Sequence, residues 1–174
     1  DSYSNVRQLI NIGIDDYKGG QLAADYFLKK GHKTLGFVGP FTKIGGVITK
    51  RYQGFTDTLA KHHISLSPDH VYDMEKMEPS EIIDSILQDN CPPSGLFVFS
   101  DEIALQLSNI ASKKNLAIPS RLSLIGFDDL PSFCTTFDML TTIHQDIYIK
   151  AEITCKILFE HIADPDRPSE NVTL

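Results

Sequence analysis

Ser123-Leu124-Ile125-Gly126-Phe127-Asp128-Asp129 decides the fold class, because an apolar run stops abruptly on two adjacent carboxylates. Runs of this kind are core strands of a parallel sheet, covered on both faces. In open α/β sheets, ligands sit in the crevice outside the strand C-termini. Asp128 is therefore a candidate to hydrogen-bond a polar ligand. The same design recurs at Gly95-Leu96-Phe97-Val98-Phe99-Ser100-Asp101 and at Ile10-Asn11-Ile12-Gly13-Ile14-Asp15-Asp16. Three strand ends carrying acceptors, with no evident nucleophile among them, read as recognition rather than reaction.

Outward from these strands, the chain alternates strand and helix. Residues 10–14 are expected as a short strand. Asp16 can cap a helix from about Tyr17 to Lys30, stopped by Gly31. Thr34–Val38 reads as the next strand, followed by a loop over Phe41–Thr49 and a helix from Arg51 to Lys61 around Phe55 and Leu59. A short strand is expected near Val71-Tyr72. Pro79 opens a helix with Ile82, Ile83, Ile86 and Leu87 inward. Strand 95–99 precedes a helix from Glu102 to about Lys114, capped by Ser100 or Asp101, and strand 122–127 follows. This alternation is the signature of βαβ crossovers building a parallel sheet. After Asp129 the rhythm changes: a loop over Leu130–Met139, a strand at Leu140–Ile143, a long helix at Asp146–Ala163 and a last strand at Val172-Thr173-Leu174. Ile147, Ala151, Thr154, Leu158 and Ile162 form an apolar stripe on that helix.

At 174 residues the chain has the size of one domain or one and a half small lobes. A formal net charge of −7 argues against this chain holding nucleic acid unaided, since such binding is mostly phosphate neutralisation. Cys91, Cys134 and Cys155 are odd in number and far apart, fitting neither a disulfide framework nor a zinc spacing. A reducing cytoplasm is the expected compartment. No apolar run approaches the length of a membrane span. Asp1 is not an initiator methionine, so the chain reads as a processed product or a piece of something longer.

Chemistry of other kinds finds little support. Neither a G-x-x-x-x-G-K-[ST] nor a G-x-G-x-x-G pattern is present, and Gly45-Gly46 lacks their flanks. His62-His63 is not the i, i+4 pair that presents two metal ligands on one helix face. Asp128-Asp129 as a Mg²⁺ site would need a further acid and a well-placed Lys. No G-x-S-x-G exists, and Cys134 has no evident His partner. No cofactor, metal or catalytic residue is assigned. Ligand recognition fares best. Arg51 follows a loop, and its donor fork suits vicinal hydroxyls or a carboxylate, while Asp101 and Asp128 supply acceptors. The plainer alternatives are Asp101 as a helix cap and Arg51 as a surface residue.

Five stretches, in order, resemble the LacI/GalR family of bacterial transcription regulators. They are Ile14-Asp15-Asp16-Tyr17-Lys18-Gly19-Gly20, then Gly31-His32 through Gly39-Pro40, then Arg51-Tyr52-Gln53-Gly54-Phe55. The fourth is Phe99-Ser100-Asp101-Glu102-Ile103-Ala104, and the fifth runs from Ile118-Pro119 through Ile125-Gly126-Phe127-Asp128-Asp129 to Thr141-Thr142-Ile143-His144-Gln145. The resemblance implies a periplasmic-binding-protein-like (type I) core of two α/β lobes with a small molecule, usually a sugar, bound between them. It also implies a separate N-terminal domain for operator DNA, dimerisation of the cores, and no enzymatic activity. Residues 1–14 are then a remnant of the N-terminal lobe, 15–140 the C-terminal lobe, and 141–174 the crossover back with a truncated tail. Carried over residue by residue, Arg51 and Asp128 match the family's ligand-contacting Arg and Asp, Ser100 and Asp101 match the polar pair at the next strand end, and Ile147 falls where the family often has an aromatic ring under the sugar. Gly46-Val47, Lys50-Arg51 and Asp101-Glu102-Ile103-Ala104-Leu105 are similar to the arabinose repressors of Gram-positive bacteria, which makes a pentose such as arabinose the expected effector. The competing expectations are a transport-type sugar-binding protein of the same fold and a Mg²⁺ enzyme using Asp128-Asp129.

Overall fold

The computed structural model describes residues 10–41, 46–129, 140–168 and 170–174. The expected loop over Leu130–Met139, with Cys134, lies outside them, as does Asp1. The chain divides into two compact units: Asp16–His144, and the residues up to Asp15 together with Gln145–Leu174.

The larger unit is a five-stranded parallel sheet in the order β3-β2-β4-β5-β6. Its strands are β2 (Leu35–Gly39), β3 (Val71–Asp73), β4 (Gly95–Val98), β5 (Ser123–Asp128) and β6 (Thr141–His144). Every residue of β2 and β4 is buried. Strand alternation sorts side chains onto two faces. One face is aromatic. Phe37 and Phe97 lie opposite one another in register and meet edge-on at 5.4 Å between ring centroids; Phe55 and Phe127 extend the cluster. The other face is aliphatic. Val38, Tyr72, Leu96, Val98 and Leu124 pack against Ile82, Ile83, Ala104, Leu107 and Ala111.

Helices α1 (Asp16–Lys29) and α2 (Val47–Lys61) cover the aromatic face, with Phe27 and Phe55 inserted into it. Helices α3 (Pro79–Gln88) and α4 (Asp101–Lys113) supply the aliphatic residues of the other. α1 and α2 approach so closely that a Cβ on Gly20 would overlap the Arg51 carbonyl, and one on Gly54 the Tyr17 carbonyl. These two glycines are what lets the helices touch backbone to backbone.

Several helix starts differ from the sequence expectation. α2 begins at Val47, four residues before Arg51, because Gly46 is extended as the N-cap and Val47 is 8% exposed, already part of the core. α1 begins at Asp16 itself, so Asp16 is the first helical residue rather than the cap. α4 starts at Asp101, with the Ser100 hydroxyl accepting from the Ile103 N–H.

The smaller unit contains β1 (Ile12–Gly13) paired in parallel with β7 (Val172–Thr173), and α5 (Ile147–Ala163). The Asp146 carboxylate caps α5 by accepting from the Ile149 N–H at 2.9 Å. None of the α5 residues is buried, and Leu158, Phe159 and Ile162 are all more than half exposed. Cys91 and Cys155 are free and exposed. No helix among the described residues is long and apolar enough to cross a membrane, and none of their His, Cys, Asp and Glu side chains form a group of three fit to hold a metal ion.

Candidate functional site

The sheet order reverses between β2 and β4. The chain leaves β2 toward α2 on the aromatic face and leaves β4 toward α4 on the aliphatic face. Two connections departing to opposite sides open a crevice at the strand C-termini, where ligands of doubly wound sheets bind. Arg51 comes from the first connection, and Ser100 and Asp101 from the second.

Arg51 is buried at 4% exposure, not a surface helix residue. Its Nε donates to Asp16 Oδ1 at 2.8 Å, and its Nη1 donates to the Phe99 carbonyl oxygen at 2.6 Å. The guanidinium lies over the Phe127 ring, 3.4 Å from the centroid, in the range where cation and ring quadrupole attract. A guanidinium carries five N–H donors. Two are used here, and the other three have no hydrogen bond among the described residues.

Phe99 and Phe127 tie Arg51 to the other expected residues. Asp101 lies two positions beyond Phe99 and is itself 4% exposed. Its Oδ1 accepts from the Thr142 hydroxyl at 2.6 Å, and only a glycine at 126 leaves that oxygen room. Asp128 follows Phe127 directly. Its backbone φ is +116°, and that of Asp129 is +51°. Consecutive non-glycine residues with positive φ are costly, by about 1–3 kcal/mol each, and such strain clusters at functional sites. The Asp129 turn is held from β6: its N–H reaches Thr142 Oγ1 at 3.4 Å, and its carboxylate meets His144 Nδ1 at 2.7 Å.

The large unit thus brings Arg51, Ser100, Asp101 and Asp128 to one end of one sheet. Ile147 belongs to the smaller unit, where it opens α5 at 48% exposure. Sequence reading missed three contributors. Asp16 was expected only as a cap, but is 1% exposed and bonded to Arg51; its Oδ2 is buried with no partner among the described residues. Phe127 was read as core and is also the floor beneath the guanidinium. Thr142 was not singled out. The first could have been anticipated, because an Arg carried into a sheet crevice needs an acid to offset its desolvation.

A hollow of about 870 Å³ opens elsewhere, at the N-terminal ends of β2 and β3, lined by Lys33, Ser67, His70, Glu81 and Asp89 among others. There His70 is already held by Asp89 at 2.9 Å. The carboxyl of Asp89 lies below its ordinary range, chiefly because the Cys91 N–H donates to it, and then because of His70.

Comparison with known proteins agrees with this architecture. The sequence model of the periplasmic binding protein-like domain matches residues 24–174. The chain belongs to that family. More narrowly, it is an effector-binding core of the LacI/GalR type. It is 31% identical over 151 residues to the HTH-type transcriptional repressor PurR of Actinobacillus pleuropneumoniae, an alignment covering 85% of this chain and 44% of that protein. It is 28% identical to the repressor of the same name from Mannheimia succiniciproducens, over 92% of this chain and 48% of that one. The core thus spans about half the length of the curated relatives it matches. Among solved structures, a LacI family transcriptional regulator from Enterococcus faecium with bound ribose superposes with a TM-score of 0.83 at 26% identity, covering 98% of this chain and 63% of the other.

Proposed function

We propose that this chain is the effector-sensing part of a bacterial transcriptional repressor, and that it holds a small polyhydroxylated molecule at Arg51, Ser100, Asp101 and Asp128. The observation that carries the reading is Arg51. Its guanidinium is fixed by Asp16 and the Phe99 carbonyl, and three of its N–H donors have no hydrogen bond among the described residues, so they remain for a ligand. Hydroxyls suit them well, since each both donates and accepts. The ribose bound to the Enterococcus faecium relative supports a sugar. A pentose, ribose or arabinose, is the effector we assign.

In this reading the repressor works in the cytoplasm as a homodimer, and a separate domain carries operator DNA, as the names of the relatives support. Effector binding changes the affinity of that domain for its operator. Asp16–His144 form the lobe carrying the four polar residues, and the residues up to Asp15 with Gln145–Leu174 belong to the other lobe.

Calorimetric titration of the full encoded protein with ribose, arabinose and galactose tests the assignment. Saturable binding of a pentose that disappears in Arg51→Ala supports it. Binding of none of the three, or binding unchanged in Arg51→Ala, refutes it.

A further inference from the structure

Asp16 explains more than the position of Arg51. Both members of the pair are buried, with side-chain exposures of 5% for Arg51 and 1% for Asp16. The guanidinium is permanently charged, and at 2.8 Å the Asp16 carboxylate cancels that charge inside the protein. Asp16 Oδ2 has no other donor among the described residues, so little else draws on its negative charge. Asp101 and Asp128 stand at the ends of the same two strands as Phe99 and Phe127, the residues that touch Arg51. The Arg51–Asp16 pair therefore offers N–H donors without net positive charge, on a sheet end that also carries Asp101 and Asp128.

We propose that Asp16 is a specificity-determining residue: by neutralising Arg51 from behind, it reserves the guanidinium for neutral hydroxyls and turns away anionic ligands such as uronates and sugar phosphates. Without Asp16, Arg51 would be an ordinary anion-binding fork. With it, an anion meets two carboxylates and a spent cation, whereas a polyol meets alternating donors and acceptors. The proposal rests on the sugar-sensing reading above and adds the charge class of the ligand.

The test uses the full encoded protein, with Asp16→Asn to remove the charge and keep an acceptor for Arg51 Nε. Asp16→Ser serves as a second uncharged variant, and circular dichroism verifies folding. Ribose and galacturonate are titrated against each. The expected result is that wild type prefers ribose and that both variants move the ribose-to-galacturonate affinity ratio toward the anion by about tenfold or more, the order of one charged hydrogen bond. An unchanged ratio in the folded variants overturns the proposal. So does a wild type that prefers galacturonate, although that outcome leaves sugar sensing intact. Binding of neither sugar by wild type defeats the sugar reading alone, and inorganic phosphate then decides the inference. At constant ionic strength, phosphate should raise Tm more in Asp16→Asn than in wild type, and the gain should vanish when Arg51→Ala is added. Equal phosphate responses in all three overturn it.

Discussion

The hydroxyl of Thr142 donates to Asp101 Oδ1 at 2.6 Å and lies 3.4 Å from the N–H of Asp129. One small side chain on β6 therefore joins the start of α4 to the strained turn at the end of β5. Thr142→Val keeps the shape and removes both bonds. Ligand affinity should fall by about 5–15-fold, the worth of a hydrogen bond to a charged group at its lower end, with the chain still folded. Calorimetry with the pentose that binds wild type measures it, and an affinity equal to wild type would remove Thr142 from the support of the site.

Asp128 carries its carboxylate on a backbone at φ +116°. Asp128→Gly should stabilise the fold by about 1 kcal/mol, because glycine adopts positive φ freely. The same variant should bind ligand about 10–150-fold more weakly through loss of a charged hydrogen bond. Urea unfolding and ligand titration on one preparation read both effects. A variant that is both less stable and equally good at binding would contradict the role given to this residue.

Gly20 and Gly54 seat α1 against α2, and a methyl at either meets a backbone carbonyl rather than a yielding side chain. Gly54→Ala should cost about 1–3 kcal/mol or more in denaturant unfolding. Because Gly20 abuts the Arg51 carbonyl, Gly20→Ala should in addition reduce ligand affinity, by displacing the residue that binds it. Stability losses without any change in affinity for Gly20→Ala would show that Arg51 tolerates the shift.

Acid should act partly through Asp89, whose carboxyl is held below the usual range by the Cys91 N–H and then by His70. A carboxyl lowered on folding contributes stability that is fully present above its unfolded value near 4 and is lost as pH falls through its folded value. Wild type should therefore be more stable than Asp89→Asn at pH 6, and the gap should narrow as pH drops below about 4. Urea titrations along that pH series measure it; a gap that widens in acid has the wrong sign.

How much of this could be read from the residues alone is uneven. The strands β2, β4 and β5 announce themselves, since unbroken apolar runs ending on polar residues have few other uses in a chain of this alternation. Their polar ends, and with them Ser100, Asp101 and Asp128, follow from the same pattern. Arg51 was legible as a donor, but its burial was not. Burial of α2 depends on the close contact at Gly20 and Gly54, and nothing local to Arg51 shows it. The roles of Asp16 and Thr142 were not legible because each acts on a residue at least 35 positions away. Thr142 on β6 reaches Asp101 at the start of α4, beyond the intervening strand β5, and strand order is not written in a strand's own sequence. Helix starts were misjudged by a few residues where glycine could equally end a loop or cap a helix, as at Gly46.

Phe127 is fully buried, belongs to the ring cluster that fills one side of the sheet, and is also the surface on which Arg51 lies. The same ring thus answers to two demands. A smaller residue there would open a void in the core and at the same time let the guanidinium sink, so durability and ligand preference would drift together. Attempts to retune this protein toward a new effector should leave position 127 alone and vary the polar ends around it, because at that position no change in taste comes without a change in strength.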